Sequence, residues 1–239
     1  MKEQLYTIPV HDAFSTDCEC PLCAMRRELE KNAIEYTMGP SYMEDDNRAM
    51  TDERGFCAKH IHDLYHEKNR LGLALMLNTH MNKILQDLKD CAAKSSTPSR
   101  LFKKTSDTSA VVTYIDALNH KCFICERINH TFDRYVDTIF HLWKKESDFM
   151  DIFKNSKGFC ITHYGYLYEA AGRHLSGSAY DSFIEALNSI FFENLERVNG
   201  DVSWFIDKFD YRYQNEPWKN AKDALPRAVT KVNSLIEED

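Results

Sequence analysis

Cys20-Pro21-Leu22-Cys23, answered further along by Gly55-Phe56-Cys57-Ala58-Lys59-His60, is the stretch from which the architecture of this chain can be read. The pattern returns as Cys122-Phe123-Ile124-Cys125 and Gly158-Phe159-Cys160-Ile161-Thr162-His163. The Cys-x-x-Cys pair recurs after 102 residues and the Cys-x-x-His pair after 103, so one inserted residue separates two copies. Similarity runs past these residues: Leu64-Tyr65 corresponds to Leu167-Tyr168, and Asp12-Ala13-Phe14 to Asp116-Ala117-Leu118 after a two-residue shift. Two copies point to a duplicated helical repeat and not to a solenoid, which usually needs about three or more units to bury its core.

Cysteine or histidine at i and i+3 in the first turn of a helix points its donors side by side, and the exposed N–H groups of that turn favour thiolate over thiol. Two such turns brought together supply three sulfurs and one imidazole, a donor set for tetrahedral zinc. Proximity in sequence groups them as Cys20, Cys23, Cys57 and His60 in one half and Cys122, Cys125, Cys160 and His163 in the other, giving two zinc ions per chain. The spacing leaves open an exchange of ligands between the halves. Four protein donors leave no position for a substrate or activated water, so the expected role of the ion is structural.

An iron–sulfur cluster is the alternative cofactor, because histidine can replace a thiolate there, and with it comes a thiol-redox or electron-transfer enzyme using the same cysteines. No βαβ pattern of the thioredoxin kind surrounds Cys20. Cys18 and His120 each lie two residues ahead of a Cys-x-x-Cys and compete for a place among the ligands. Cys91 belongs to neither pattern and reads as an ordinary buried or partly exposed thiol.

The remaining periodicity is helical. Leu22, Met25, Leu29, Ala33 and Tyr36 make one face of a helix that begins inside the first Cys-x-x-Cys and ends at Gly39-Pro40. Ile124, Ile128, Phe132, Tyr135, Ile139 and Leu142 repeat the arrangement in the second copy. Gly55 and Gly158 punctuate the chain before each Cys-x-x-His, which opens another helix. The helix after His60 is expected to run to Cys91, and its counterpart after His163 to break near Gly172 or Gly177 and resume through Phe183, Leu187, Phe191 and Leu195. The fold class is therefore all-α, with a first metal-binding repeat at 1–91, a polar linker at 92–110, a second metal-binding repeat at 111–200 and a helical C-terminal segment at 201–239. The alternative for 92–110 is an ordered surface crossing pinned by Leu101 and Phe102.

With 239 residues, 43% of them hydrophobic, the chain can bury a core without disulfides. A formal charge of -7 lacks the basic excess that drives nucleic-acid affinity, so no nucleic-acid partner is expected. Apolar runs such as Leu71–Leu77 stop far short of the roughly 20 residues that cross a bilayer, so no membrane is expected either. Lys2, Glu3, Gln4 and Pro9 deny the first residues the apolar core of a secretory signal, which gives a cytoplasmic expectation. In a reducing compartment eight cysteines act as ligands or redox groups before they act as disulfides.

Beyond Gly200, Lys208, Arg212, Lys219, Lys222 and Arg227 stand among Tyr211, Tyr213 and Trp218, as the lining of an anion pocket or as the ion pairs and rings that dock a terminal helix. Pro226 is expected to kink or start a last helix carrying Ala228, Val229, Val232, Leu235 and Ile236. His62 and His66, four apart, read as a solvent-facing pair, and Glu44-Asp45-Asp46 as a solvated segment. His11, His80, His130, His141 and His174 belong to no constellation.

Leu5-Tyr6-Thr7-Ile8-Pro9-Val10, the Cys20-Pro21-Leu22-Cys23 pair, Met38-Gly39-Pro40-Ser41-Tyr42-Met43-Glu44, Gly55-Phe56-Cys57-Ala58-Lys59-His60 and Asn69-Arg70-Leu71-Gly72-Leu73-Ala74 together resemble an uncharacterised bacterial family, found mainly in anaerobic Gram-positive organisms. The likeness reaches the tail at Asp210-Tyr211-Arg212 and Lys222-Asp223-Ala224. It implies one intact protein in a cytoplasmic setting and supplies no reaction. The expected function is a metal-binding helical protein with a binding or adaptor role toward a protein or small molecule. An enzyme with its site between the repeats would instead show a deep pocket lined from both copies.

Overall fold

The computed structural model describes residues 2–95 and 109–235. Among them the regular structure is entirely helical: α1 (Lys2–Ser15), α2 (Pro21–Met38), a short 3-10 turn (Pro40–Met43), α3 (Asp45–Arg54), α4 (Ala58–His66), α5 (Arg70–Ser95), α6 (Ala110–Asn119), α7 (Phe123–Lys145), α8 (Ser147–Lys154), α9 (Ile161–His174), α10 (Gly177–Asp207) and α11 (Ala224–Asn233). Most of the expected linker, with Leu101 and Phe102, and Ile236 lie outside the described residues.

Two compact units emerge, one from residues 1–28 with 131–239 and the other from residues 29–130. The divisions fall inside α2 and inside α7. In the 29–130 unit the core gathers Ala33, Met38, Leu64, Leu73, Met76, Phe123, Ile124 and Ile128, with α3, α4 and α6 each packed on α5. The acidic run Glu44-Asp45-Asp46 is exposed, as expected, and Asp45 and Asp46 form the first turn of α3, where the helix dipole favours their charge.

One boundary departs from expectation. The helix after His60 does not continue to Cys91 but stops at His66, and α5 starts afresh at Arg70. Asn69 is the cause, because its side-chain oxygen accepts the Gly72 N–H at 2.9 Å while its amide donates to the Met38 carbonyl at 2.8 Å. A side chain that satisfies a free first-turn N–H starts a new helix. The break after His163 falls at Leu175–Ser176, just ahead of Gly177 at φ 56°.

The other unit is built on aromatics. Phe14, Trp143, Phe149, Phe153, Phe159 and Phe183 are all buried; Phe14 stacks on Phe153 at 5.5 Å, and Trp143 meets Phe183 edge-on at 5.1 Å. Such pairs add about 0.5–1.5 kcal/mol each beyond area burial. Around them α10 packs on α8, α9 and α11, and α1 packs on α8. No helix among the described residues is long and apolar enough to cross a membrane.

Candidate metal centres

At each of the four motifs the first donor sits just before a helix and the second in its first turn. Cys57 is the N-cap of α4 and Cys160 the N-cap of α9, with His60 and His163 three residues on. Cys20 immediately precedes α2, where Pro21 supplies a first helical residue that needs no N–H, and Cys122 immediately precedes α7. The leading sulfur can then act as a cap: Cys160 Sγ accepts the His163 N–H at 3.4 Å and Cys122 Sγ the Cys125 N–H at 3.5 Å. The preceding Gly55 and Gly158 take φ of 58° and 78°, a conformation that L side chains rarely adopt, and a Cβ on Gly158 would meet the Ile190 carbonyl at 3.0 Å.

The quartets expected within each half are not the ones formed. Cys20 and Cys23 meet Cys160 and His163, and Cys57 and His60 meet Cys122 and Cys125, each set with its donor atoms within 4.8 Å of one another. The eight residues are those read from the sequence, with the Cys-x-x-His elements exchanged. In the first quartet His163 Nδ1 lies 3.4, 3.3 and 3.2 Å from the sulfurs of Cys20, Cys23 and Cys160, and Cys23 lies 3.6 Å from Cys160. In the second, His60 Nδ1 lies 3.3 Å from each of Cys57, Cys122 and Cys125, and Cys57 lies 3.9 Å from Cys125.

Local contacts accompany this pairing. The Phe123 N–H donates to the Gly55 carbonyl at 3.0 Å, and Arg54 pairs with Glu126, so the second Cys-x-x-Cys is held against the first Cys-x-x-His. For the other quartet the clip is Lys231, 1% exposed, whose ammonium donates to the carbonyls of Glu19, next to Cys20, and of Lys157, three residues before Cys160. Ser234 adds its hydroxyl to Cys160 Sγ at 3.1 Å.

The protonation pattern follows from the crowding of these groups. Burial and the neighbouring Cys160 push the Cys20 thiol up to about 12, and the hydrogen bond to Cys160 drives Cys23 up as well, while bonds from Cys20 and Cys23 hold Cys160 well below the ordinary thiol range. In the second quartet burial is the largest single influence on Cys122 and opposes its ionisation, but the bonds to His60, to the Cys125 and Cys57 backbone and to the Cys125 side chain together lower the thiol to about 6; burial and the Cys122 charge push Cys125 up to about 12. His60 Nε2 faces Glu30 at 2.8 Å. Burial disfavours the imidazolium, yet the Cys122 and Glu30 contacts raise it to about 10, and the same His60 contact lowers Glu30 to about 2.

Cys18 and His120 are members of neither quartet: Cys18 Sγ faces the Ala13 carbonyl at 3.9 Å, and His120 Nδ1 faces the Asp116 carbonyl at 2.7 Å. His62 and His66 lie exposed with rings 4.3 Å apart. Glu30, with Lys59 and Asp63 beside it, escaped the sequence reading; its one signal is that a histidine ligand needs a partner for its outer nitrogen, which sequence does not locate.

The C-terminal cations divide. Lys208 is buried and donates to the carbonyls of Tyr213, Gln214 and Glu216, and Arg212 pairs with Asp210, so both staple their own loop. Lys219, Lys222 and Arg227 do line a cavity of about 690 Å³, but Glu193 and Asp223 line it too, and Arg227 is committed to Asp201 and Asp223.

A family model described as a family of unknown function (DUF6062) matches residues 1–239. No curated protein and no solved structure matches the chain.

Proposed function

We propose that this chain, which belongs to the family of unknown function DUF6062, is a helical binding or adaptor protein whose two units are each fastened by one structural zinc ion. The observation that carries the reading is the shape of the donor sets. A single ion with sulfur at about 2.3 Å and nitrogen at about 2.0–2.1 Å, held tetrahedrally, has sulfur–sulfur edges of about 3.8 Å and sulfur–nitrogen edges of about 3.6 Å. Here one sulfur–sulfur edge in each quartet is 3.6 and 3.9 Å, every nitrogen–sulfur edge is 3.2–3.4 Å, and all donor atoms of a quartet lie within 4.8 Å of one another. An iron–sulfur cluster inserts two or more irons and bridging sulfides between its thiolates, and donors this close favour a single ion instead. Three sulfurs and one imidazole close the tetrahedron and leave no position for a substrate.

Glu30 supports the same reading. A carboxylate on the outer nitrogen of a ligand histidine fixes the tautomer that leaves Nδ1 free for the ion. Elemental analysis of the purified full chain is expected to give two zinc ions per chain in colourless protein. Brown protein absorbing near ~400 nm, or protein without metal, would remove the reading.

Loading also has a pH signature. Cys20, Cys23 and Cys125 have raised pKa values, so at neutral pH they are protonated without the ion and must lose protons to bind it. Affinity therefore rises with pH, and acid expels the ions. Calorimetric zinc titrations in buffers of different ionisation enthalpy should report net proton release at pH 7. Heats independent of the buffer would contradict this.

A further inference from the structure

The two quartets differ in how easily they are reached. Cys20, Cys23, Cys160 and His163 are all buried, at 1, 4, 0 and 5% exposure, beneath the Ser234 hydroxyl and the Lys231 clip. In the other quartet Cys122 and His60 are buried, at 4 and 3%, whereas Cys57 and Cys125 are only half-buried. The sulfurs of those two half-buried residues are also neighbours, 3.9 Å apart, one at the N-cap of α4 and the other in the first turn of α7.

We infer that Cys57 and Cys125 form a site of reversible oxidation, at which a peroxide-class oxidant joins them as a disulfide and discharges the ion of their quartet while the buried quartet keeps its own. The inference rests on the reading of the quartets as zinc sites and adds a regulation to one of them. One thiolate attacks the peroxide O–O bond, forming a sulfur–oxygen bond and releasing hydroxide. The second thiolate attacks that sulfur; the S–S bond forms, the S–O bond breaks, and hydroxide leaves again. Two thiolates, one hydrogen peroxide and two protons thus become one disulfide and two waters, with two electrons passing from sulfur to oxygen. The sulfurs need to close by less than ~2 Å to reach the disulfide length of about 2.05 Å. The ion, left with Cys122 and His60 alone, has two protein donors and is lost to solvent.

The disulfide joins the same two helix starts that the ion joined. Oxidation therefore exchanges one crosslink for another, and the unit gives up its zinc without unfolding. Thiol reductant and zinc reverse it.

The test uses the full chain as purified. Hydrogen peroxide is added while a chromophoric chelator reads released zinc. One of the two ions is expected to leave in a distinct fast phase with helical circular dichroism unchanged. Peptide mapping at that point should find Cys57 linked to Cys125, with Cys20, Cys23 and Cys160 still alkylated as thiols after denaturation. Glu30→Gln, which slackens His60 without touching the sulfurs, should speed the fast phase about tenfold or more and leave the slow phase unchanged. Loss of both ions in one phase, a first disulfide involving Cys122 or any cysteine of the buried quartet, or helix loss in step with the first ion would overturn the inference and leave the zinc reading standing. A preparation that contains no zinc before oxidant is added defeats the zinc reading itself.

Discussion

Cys20→Ser combined with Cys160→Ser is expected to remove one zinc ion per chain, no more than either change alone, whereas Cys20→Ser combined with Cys57→Ser is expected to remove both. The prediction follows from the exchange of the Cys-x-x-His elements, since Cys20 shares its donor set with Cys160 and Cys57 sits in the other. Ligands of one ion fail together and ligands of different ions fail independently, the pattern that a double-mutant comparison separates. Pairing within each half would reverse the two counts, so one metal analysis on four proteins decides the matter.

The effect on stability should be large. Structural zinc contributes an apparent ~10–16 kcal/mol in small zinc-binding peptides, comparable with the whole ~5–15 kcal/mol stability of a typical domain. Cys57→Ser should accordingly melt the 29–130 unit early and leave the aromatic unit near its original transition. Calorimetry showing metal content and both transitions unchanged would refute the assignment.

Lys231→Met is expected to destabilise the aromatic unit by about 3 kcal/mol, the lower end of the range for removing one partner of a buried ion pair. The lysine is 1% exposed, and its ammonium lies 3.1 Å from the Glu19 carboxylate as well as on the Glu19 and Lys157 carbonyls. Burial pushes the pKa of Lys231 down, against the pull of Glu19. Methionine fills the volume but leaves two carbonyls and a carboxylate without their donor. Arg197, 2.6 Å from Glu19, retains part of the compensation, which is why the loss stays at the low end.

On a chain of this size that is a fall of about 10 °C in the melting transition. Adding Glu19→Gln should restore a measurable part of it, because the uncompensated charge is then gone. A single variant that melts like the parent would show that the clip does not hold the two ligand turns together.

Much of this was legible in the chain before any coordinates. Pro21 after Cys20, Gly39-Pro40, and Gly55 and Gly158 before the Cys-x-x-His elements mark helix starts and stops, because their constraints act through the backbone of the same few residues. The faces of α2 and α7 follow equally from spacing: Leu22, Met25, Ile124, Ile128 and Ile139 are all buried. The break between α4 and α5 was less accessible, since the amide of Asn69 is held by the carbonyl of Met38, which lies 31 residues away.

The eight donors and their places at helix beginnings were fixed locally, by i and i+3 geometry and the free N–H groups of a first turn. Which turns meet was not. Cys20 and His163 are 143 positions apart, and a buried ammonium donates to one carbonyl ahead of each of their turns; its counterpart in the other unit is the bond from the Phe123 N–H to the Gly55 carbonyl with the Arg54–Glu126 pair beside it. Identical motifs in both halves make either pairing equally acceptable to a metal, so the choice falls to contacts that no spacing encodes.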